Sequence, residues 1–465
     1  MLQTRPWGVG VPIFAAVLVG ACFIVRGPRV APIPKSTFWL GIAVLPMAAL
    51  FAWRDADGLR VLNGLLLFLT VGLVALRASV GAVYATSLSD LLLKGPMQWF
   101  TMLSDGSAVP IADVKWSALK EKSHARRYAA VGRGLALAFA PVVLFIVLLA
   151  NADAVFEKVV SPSFSLDPEI AIDNLFVGLL IMVLSAGLLR KLFLYIKKPP
   201  VTHPPLQTPT AALKLGITEI ETVLIALNAV VGLFVAIQFR YLFGGANLVQ
   251  GTTGLTYAEY ARRGFFELLT VVAISVPILV AMNGLLHRER RMDQRIFRCT
   301  AGLFIVQLFI VAASAIERMR LYVDFFSLSP LRLYALAGMA FLVGVLALFL
   351  GTTLRGRPDR FAFCSLTWLA TVVIGLNVLN PDAVIAKYNL QDRPGQRVDV
   401  ALLASLSSDA TPVLIGGMDH LSDEDEVRLR QSLNNDHQRN RYWTSMTLSY
   451  ADAMSKWNER VALKN

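Results

Sequence analysis

The chain has 465 residues, of which 55% are hydrophobic and 16% are charged, and its mean hydropathy is +0.58. A water-soluble protein of this length would need far more polar surface, so the composition excludes a soluble globular fold. The net charge of +12 does not indicate nucleic-acid binding, because the Lys and Arg residues are scattered through short loops and form no contiguous basic face.

Ten apolar segments follow one another along the chain, each close to the ~20 residues that a helix needs to cross a hydrocarbon core of ~30 Å. They cover residues 9–25, 37–53, 61–86, 134–150, 170–189, 216–239, 264–286, 299–316, 333–354 and 361–379. A backbone in lipid must satisfy its own hydrogen bonds, and no segment alternates with period two, so each is predicted to be a helix. The prediction is an all-α, polytopic membrane protein with about ten transmembrane helices.

The loops between these segments differ in charge on the two sides of the membrane. Loops 26–36, 87–133, 190–215, 287–298 and 355–360 hold 23 Lys and Arg residues, whereas the N-terminus and the alternate loops hold 10. The side that is richer in Lys and Arg is predicted to be cytoplasmic. Both termini are therefore predicted to be extracytoplasmic.

The order of the apolar segments and the charges of the loops divide the chain into three predicted regions. Residues 1–130 would hold three helices and a basic, amphipathic cytoplasmic loop, residues 131–380 a seven-helix core, and residues 381–465 a small extracytoplasmic helical domain. In the last region Ser422 and Asp425 have the spacing of a capping box. A stripe at helical spacing follows, formed by Tyr442, Met446, Tyr450, Met454, Trp457 and Val461. It must be buried against the tail's own helices, against the membrane face or against a partner protein of the cell envelope.

Charged residues at the predicted outer ends of the segments are candidates for a ligand site, because such residues are costly near lipid. They are Asp153, Arg263, Glu267, Glu317, Arg320, Asp324 and Arg332. If the helix of 299–316 continues, Glu317, Arg320 and Asp324 share one face, so Arg320 can pair with both acids. Ser329-Pro330 would then end that helix. Glu219 and Glu221, on the inner half of the sixth segment, are candidates for ion coupling. The alternative for all nine is a structural role as interfacial anchors and interhelical ion pairs.

The sequence predicts no catalytic residue, metal site or cofactor. The three cysteines and the five histidines lack metal-ligand spacing, and there is neither a Gly-rich phosphate loop nor a nucleophile elbow. Asp55 and Asp57 in "WRDADG" superficially match the paired acids that hold a metal in membrane glycosyltransferases. Their predicted loop, residues 54–60, is too short for the usual catalytic platform.

Several stretches resemble an uncharacterised bacterial membrane family, the domain of unknown function 4173, and its relative 4153. They are "LLANADAVF", "YARRGFFELL", "RMRLYVDFFSLSPLRLYALAGMA" and "NPDAVIAKYNL" followed by "VDVALLASLSSDATPVL", and together they span roughly residues 130–420. The resemblance implies a multi-pass protein of the bacterial inner membrane. It implies no activity, so no functional residue can be transferred.

Three functions follow as hypotheses. The first is transport or ligand sensing through an outward-facing polar site. The second is an envelope assembly or regulatory scaffold whose tail binds partner proteins. The third is a glycosyltransferase that uses a lipid-linked donor.

Overall fold

The computed structural model describes residues 8–24, 35–80, 182–188, 217–244, 265–286, 291–391, 398–437 and 446–464. These residues form helices, and they include no strand. The α-helices are α1 (Gly10–Ile24), α2 (Lys35–Trp53), α3 (Asp57–Val80), α4 (Ile217–Gly244), α5 (Phe265–Leu285), α6 (Arg291–Phe326), α7 (Pro330–Gly351), α8 (Asp359–Leu379), α9 (Pro381–Asn389), α10 (Val400–Ala404), α11 (Thr411–Gly417), α12 (Asp423–His437) and α13 (Leu448–Lys464). Two short 3₁₀ helices cover Ser408–Ala410 and Met418–His420.

Five of the described helices are long and apolar enough to cross a membrane, namely α3, α5, α6, α7 and α8. Helices α1, α2 and α4 contain shorter apolar stretches. All eight lie on predicted segments, so the all-helical prediction is confirmed for the described residues, and the five long apolar helices are consistent with a multi-pass membrane protein. The predicted segment 134–150 and most of 170–189 lie outside the described residues, and the total of ten spans stays a prediction.

Helix α6 is the central helix of the described bundle, and it packs against α4, α5 and α7. Its 36 residues correspond to about 54 Å at 1.5 Å per residue, well beyond a hydrocarbon core of ~30 Å. The predicted segment 299–316 is therefore only the apolar middle of a longer helix. Its buried side follows the helical repeat through Phe304, Leu308, Ala315 and Met319.

Helix α6 continues past residue 316 and ends at Phe326. Glu317, Arg320 and Asp324 therefore lie on one continuous helix, as their predicted shared face requires. Ser327 has a φ of 68°, a left-handed conformation that stops the helix. Pro330 occupies the first turn of α7 directly after the N-cap position Ser329, where a missing N–H costs nothing. The break between α6 and α7 therefore includes the predicted Ser329-Pro330, but α6 already ends before it, at Phe326.

The α2–α3 connection, the α6–α7 connection and the end of α8 lie at one end of the bundle, which we call the outer end because the loop charges predict that it faces away from the cytoplasm. The C-terminal helices lie against this end, since α9 packs on α7 and α8, and α13 packs on α2 and α11. Buried residues of the tail, including Leu403, Leu414 and Trp457, belong to the same hydrophobic cluster as Phe304 and Leu333 of the membrane helices.

Within the tail, Ser422 caps the start of α12 as predicted, and it also bonds the Asp425 side chain. The backbone N–H of Asp425 donates to Ser422 Oγ at 3.3 Å, and that hydroxyl donates to Asp425 Oδ2 at 2.8 Å. On α13, Tyr450 and Trp457 are buried, whereas Met446, which precedes the helix, is exposed. The chain's own helices therefore cover these two aromatic members of the predicted stripe.

Candidate functional site

The start of α3 is capped by a carboxylate that is remote in sequence, at the two residues that directly precede the helix. Oδ2 of Asp409 accepts hydrogen bonds from the backbone N–H groups of Asp55 and Ala56, both at 2.8 Å. The N–H groups at a helix N-terminus have no partner within the helix, and the helix dipole favours negative charge there. A cap is usually local, but this one comes from the 3₁₀ helix of the C-terminal segment, 353 residues away from Ala56.

A second carboxylate and two arginines surround this cap. Ser408 Oγ donates to Asp55 Oδ2 at 2.6 Å. Arg60 pairs with Asp55 and with the exposed Asp57. Because Asp55 and Asp409 are both almost fully buried, their charges must be compensated within the protein.

The second arginine, Arg54, connects the α2–α3 turn to α8 and to the tail. Its Nε donates to the backbone oxygen of Asn377 at 2.8 Å, and its Nη1 lies 3.9 Å from Asp409 Oδ1. Nη1 also lies 3.4 Å from the hydroxyl of Ser449 in α13. One guanidinium group thus contacts three segments that meet at the outer end.

A pair of amide side chains lies one to two turns deeper in the bundle. Asn63 of α3 and Asn377 of α8 each donate Nδ2 to the other's Oδ1, at 3.2 Å and 2.8 Å. Both side chains are essentially inaccessible to solvent. The reciprocal pair satisfies polar groups that would otherwise be unpaired at this depth, and it fixes the register of α3 against α8.

A third buried carboxylate, Asp382 in the first turn of α9, binds the same C-terminal segment two residues before Asp409. Its Oδ2 accepts the backbone N–H of Ser407 at 3.0 Å. Burial raises the pKa of the Asp382 carboxyl above its ordinary value, and the negative charge of Asp409 raises it further, while the hydrogen bonds from Ser407 act in the opposite direction. Asn380 Nδ2 also donates to the backbone oxygen of Asp409, at 3.2 Å.

Tyr334 of α7 completes this region, which we call the junction cluster and define by Arg54, Asp55, Arg60, Asn63, Tyr334, Asn377, Asp382, Ser407, Ser408 and Asp409. The Tyr334 ring lies so close to Gly58 that a Cβ added there would be 2.4 Å from its Cε2. Glycine therefore permits α7 to approach the first turn of α3.

The junction cluster has the chemistry of an electrostatic joint. Its carboxylates accept from backbone N–H groups, hydroxyls and guanidinium groups, and the described part of the chain contains no group of three or more His, Cys, Asp or Glu residues that could hold a metal ion. A change in charge or a displacement of the 3₁₀ helix would remove the cap from α3. The cluster can therefore couple the position of the tail to the ends of the membrane helices.

A family model described as "Domain of unknown function (DUF4153)" matches residues 13–416 of the chain. The chain belongs to the DUF4153 family. The match includes residues 13–130, where the motifs indicate the family less clearly, whereas the relation to 4173 stays a prediction. No match was found among curated proteins or among solved structures.

In this DUF4153 protein, the predicted ligand residues of the α6–α7 region lie near one another but have local partners. Glu317 and Arg320 form an ion pair at 3.7 Å with both side chains more than half exposed. Asp324 accepts a hydrogen bond from the Tyr388 hydroxyl at 3.0 Å. These contacts match interfacial pairing, and the ligand role stays a prediction.

Arg332 has a structural role at the end of α6. It donates to the backbone oxygens of Phe326, at 2.6 Å, and of Ser327. Its guanidinium carbon lies 4.3 Å from the centre of the Tyr322 ring, a cation–π contact. Arg332 therefore satisfies carbonyl groups left unpaired where α6 ends.

The other predicted site residues are only partly described. Asp153 and Arg263 lie outside the described residues, and Glu267 in α5 and Glu219 in α4 lie in helices whose side chains at these positions are not described. Glu221 of α4 is buried, and the Thr300 hydroxyl of α6 donates to its Oε1 at 2.9 Å.

No sequence pattern indicated the junction cluster as a site. Asp55 and Asp57 match only the paired acids of a metal site in sequence, but Arg60 pairs with both of them. Asn63 and Asn377 could have been found as rare amides inside apolar segments. The role of Asp409 carries no such signal, because its acceptor function depends on two backbone groups at the other end of the chain.

Proposed function

We propose that this DUF4153 protein is a multi-pass inner-membrane protein that senses a ligand or an ion at its outer face. The C-terminal segment is the sensing unit, and the junction cluster links it to the membrane helices. The observation that carries this proposal is the bond from Asp409 to the backbone of Asp55 and Ala56, which makes the start of α3 dependent on the position of the tail.

The cap gives such a sensor its switching element. A buried N–H group without an acceptor costs about 1–3 kcal/mol, so two positions of the tail would differ in energy by an amount that ligand binding can supply. Asp409 also lies between α9 and α13, through Asn380 on one side and Arg54 on the other. A ligand that moves either helix would therefore shift the Asp409 carboxylate and weaken its bonds to the start of α3.

Transport is the second candidate, and one observation favours it. Glu221 and Thr300 bond to each other between α4 and α6, and a buried carboxyl near lipid is typical of coupling sites in transporters. The scaffold hypothesis has no specific contact in its favour. The glycosyltransferase hypothesis is weakened by Arg60, which neutralises the acids that would hold a metal.

The test is a thermal-shift screen of polar metabolites and inorganic ions against the purified protein in detergent. The wild type is compared with Asp409→Asn, and the control is Asp452→Asn, which changes an exposed ion pair on α13. Compounds found in the screen are then followed by hydrogen exchange. If the protein is a sensor, one of them should slow amide exchange both in the tail and at residues 54–56, in the wild type and in the control. In Asp409→Asn the response at residues 54–56 should be weaker than in the wild type, because asparagine keeps only one side-chain oxygen as an acceptor.

Each competing function gives a different result. Uptake of the same compound by proteoliposomes, unaffected by Asp409→Asn, would replace sensing by transport. A stoichiometric protein that co-purifies through the tail, with no compound that binds, would replace it by scaffolding.

A further inference from the structure

A second polar region lies inside the helix bundle, on the interface between α4 and α6. Glu221 contacts Thr300 at the inner end, and Asn228 Nδ2 donates to the backbone oxygen of Thr300 at 3.2 Å. Further along, Gln307 Nε2 lies 3.0 Å from the position of a Cβ on Gly232. The two helices therefore run parallel, with a polar seam between them that we define by Glu221, Asn228, Thr300 and Gln307.

The seam extends from the inner edge of the apolar stretch of α4 towards the middle of the membrane. The apolar stretch begins at Ile220, and the eleven helical steps from Glu221 to Gly232 rise about 16 Å, roughly half of the hydrocarbon thickness. Hydrophobic residues of the main cluster, including Leu224 and Phe304, flank it. The seam is thus a polar line in apolar surroundings.

Three oxygen atoms in the seam are buried without a donor. They are Glu221 Oε2, Asn228 Oδ1 and Gln307 Oε1, and none accepts a hydrogen bond within the part of the chain that the structure describes. The orientation of the Asn228 amide is defined, because its Nδ2 also donates to the backbone oxygen of Leu224 at 2.8 Å. Unpaired acceptors are costly at such a depth, and a carboxylate oxygen most of all.

The demand for a positive charge or a donor is greatest at Glu221. The residue is more than nine-tenths buried, and the Thr300 hydroxyl donates to its Oε1 and not to its Oε2. A metal ion would need several oxygens around one point at about 2.0–2.6 Å, whereas the three acceptors belong to residues spaced along the seam. A proton needs only a single oxygen.

The charged groups near Glu221 lie towards the cytoplasmic end. On α4 the neighbouring acid is Glu219. On α6, the helix packed against α4, Asp293 precedes Thr300 by seven residues and shares its face, and the first turns also carry Arg291, Arg295 and Arg298. The guanidinium group of Arg298 reaches Gly356 in the α7–α8 connection.

We propose that the seam between α4 and α6 is a proton-binding site. Glu221 takes up the proton on Oε2 from the cytoplasmic side, and the bond from the Thr300 hydroxyl to Oε1 is kept in both states. Thr300 is a positioning residue, and Asn228 and Gln307 provide the next acceptors towards the membrane centre. The site is independent of the sensing function proposed for the junction cluster, and a test confined to Glu221 leaves that function untouched. 

The test is labelling of the detergent-purified wild-type protein with dicyclohexylcarbodiimide, mapped by peptide mass spectrometry. This apolar reagent adds only to a protonated carboxyl group, and water removes the adduct from exposed acids. We expect labelling at Glu221 that falls about tenfold for each pH unit above the pKa of the carboxyl group. Glu317, whose side chain is half exposed beside Arg320, is the internal control and should stay unlabelled.

Two variants and one salt comparison complete the design. Glu221→Gln should abolish the label, and if that variant does not accumulate, the pH series on the wild type decides alone. Thr300→Val should keep the label and change its pH profile. Labelling that is missing at Glu221, or that does not depend on pH, overturns the proposal. Protection by sodium relative to choline at constant pH overturns it in favour of a metal-cation site.

Discussion

Replacing Asp409 by alanine tests the junction cluster most directly. The substitution removes the acceptor of two buried backbone N–H groups, at Asp55 and Ala56, each bonded at 2.8 Å. An unsatisfied buried donor costs about 1–3 kcal/mol, so the two together give roughly 2–6 kcal/mol. That is a large share of the about 5–15 kcal/mol by which most proteins are stable.

The loss of stability should appear first as faster hydrogen exchange at the start of α3, before it lowers the stability of the whole protein. Hydrogen exchange followed by mass spectrometry on peptides that cover residues 54–60 reports on the two N–H groups themselves. With 1.4 kcal/mol per factor of ten, we expect exchange at residues 55 and 56 to rise by at least about tenfold. Amides in the middle of α7 should keep their wild-type rates.

Two comparison variants show which part of the carboxylate matters. Asp409→Asn keeps one oxygen acceptor and should lie between the wild type and alanine. Asp452→Ala removes an exposed i,i+4 pair with Lys456 and should change stability by less than about 1 kcal/mol. If exchange at residues 55 and 56 were the same in the wild type and in Asp409→Ala, the proposed cap would be wrong.

Two further predictions concern the packing of α8 and the ionisation of the junction. Gly344→Ala should destabilise the protein by about 1–3 kcal/mol in thermal unfolding, because a Cβ there would stand 1.9 Å from Trp368 Nε1. Gly338→Ala, which meets nothing within 4 Å, is its control, and equal midpoints for the two would refute the packing argument. Asp382→Asn should raise the thermal midpoint at neutral pH. The pKa of Asp382 is raised in the fold, so protonation of this carboxyl stabilises the folded wild type, and that stability is lost as the pH rises through the folded pKa. The asparagine oxygen can still accept the N–H of Ser407, so the two midpoints should converge in acid, and a difference that does not depend on pH would exclude this cause.

The arrangement also changes the interpretation of the acids in "WRDADG". Asp57 is exposed, and Asp55 is buried between Ser408 and Arg60. A pair that was first considered for metal binding therefore consists of one structural acid and one surface acid. Their shared arginine suits charge compensation in a joint between the membrane helices and the tail.

The amino-acid sequence by itself determined the architecture, because crossing lipid imposes a length and a composition that one segment shows alone. The apolar segments predicted the positions of the described membrane helices, and Ser329-Pro330 predicted the break between α6 and α7. The cap at Ser422 was equally readable, since a helix cap depends on residues three positions apart.

Only the tertiary structure decided what the polar residues do. Asp409 and Ala56 are 353 residues apart, and Asn63 and Asn377 are 314 apart, so no local pattern connects them. Arg332 is a predicted ligand residue because it is cationic beside a membrane segment, and only the structure shows that it also bonds carbonyl groups freed by the end of α6. A buried charge is defined by its partners, and those partners come together only when the helices pack.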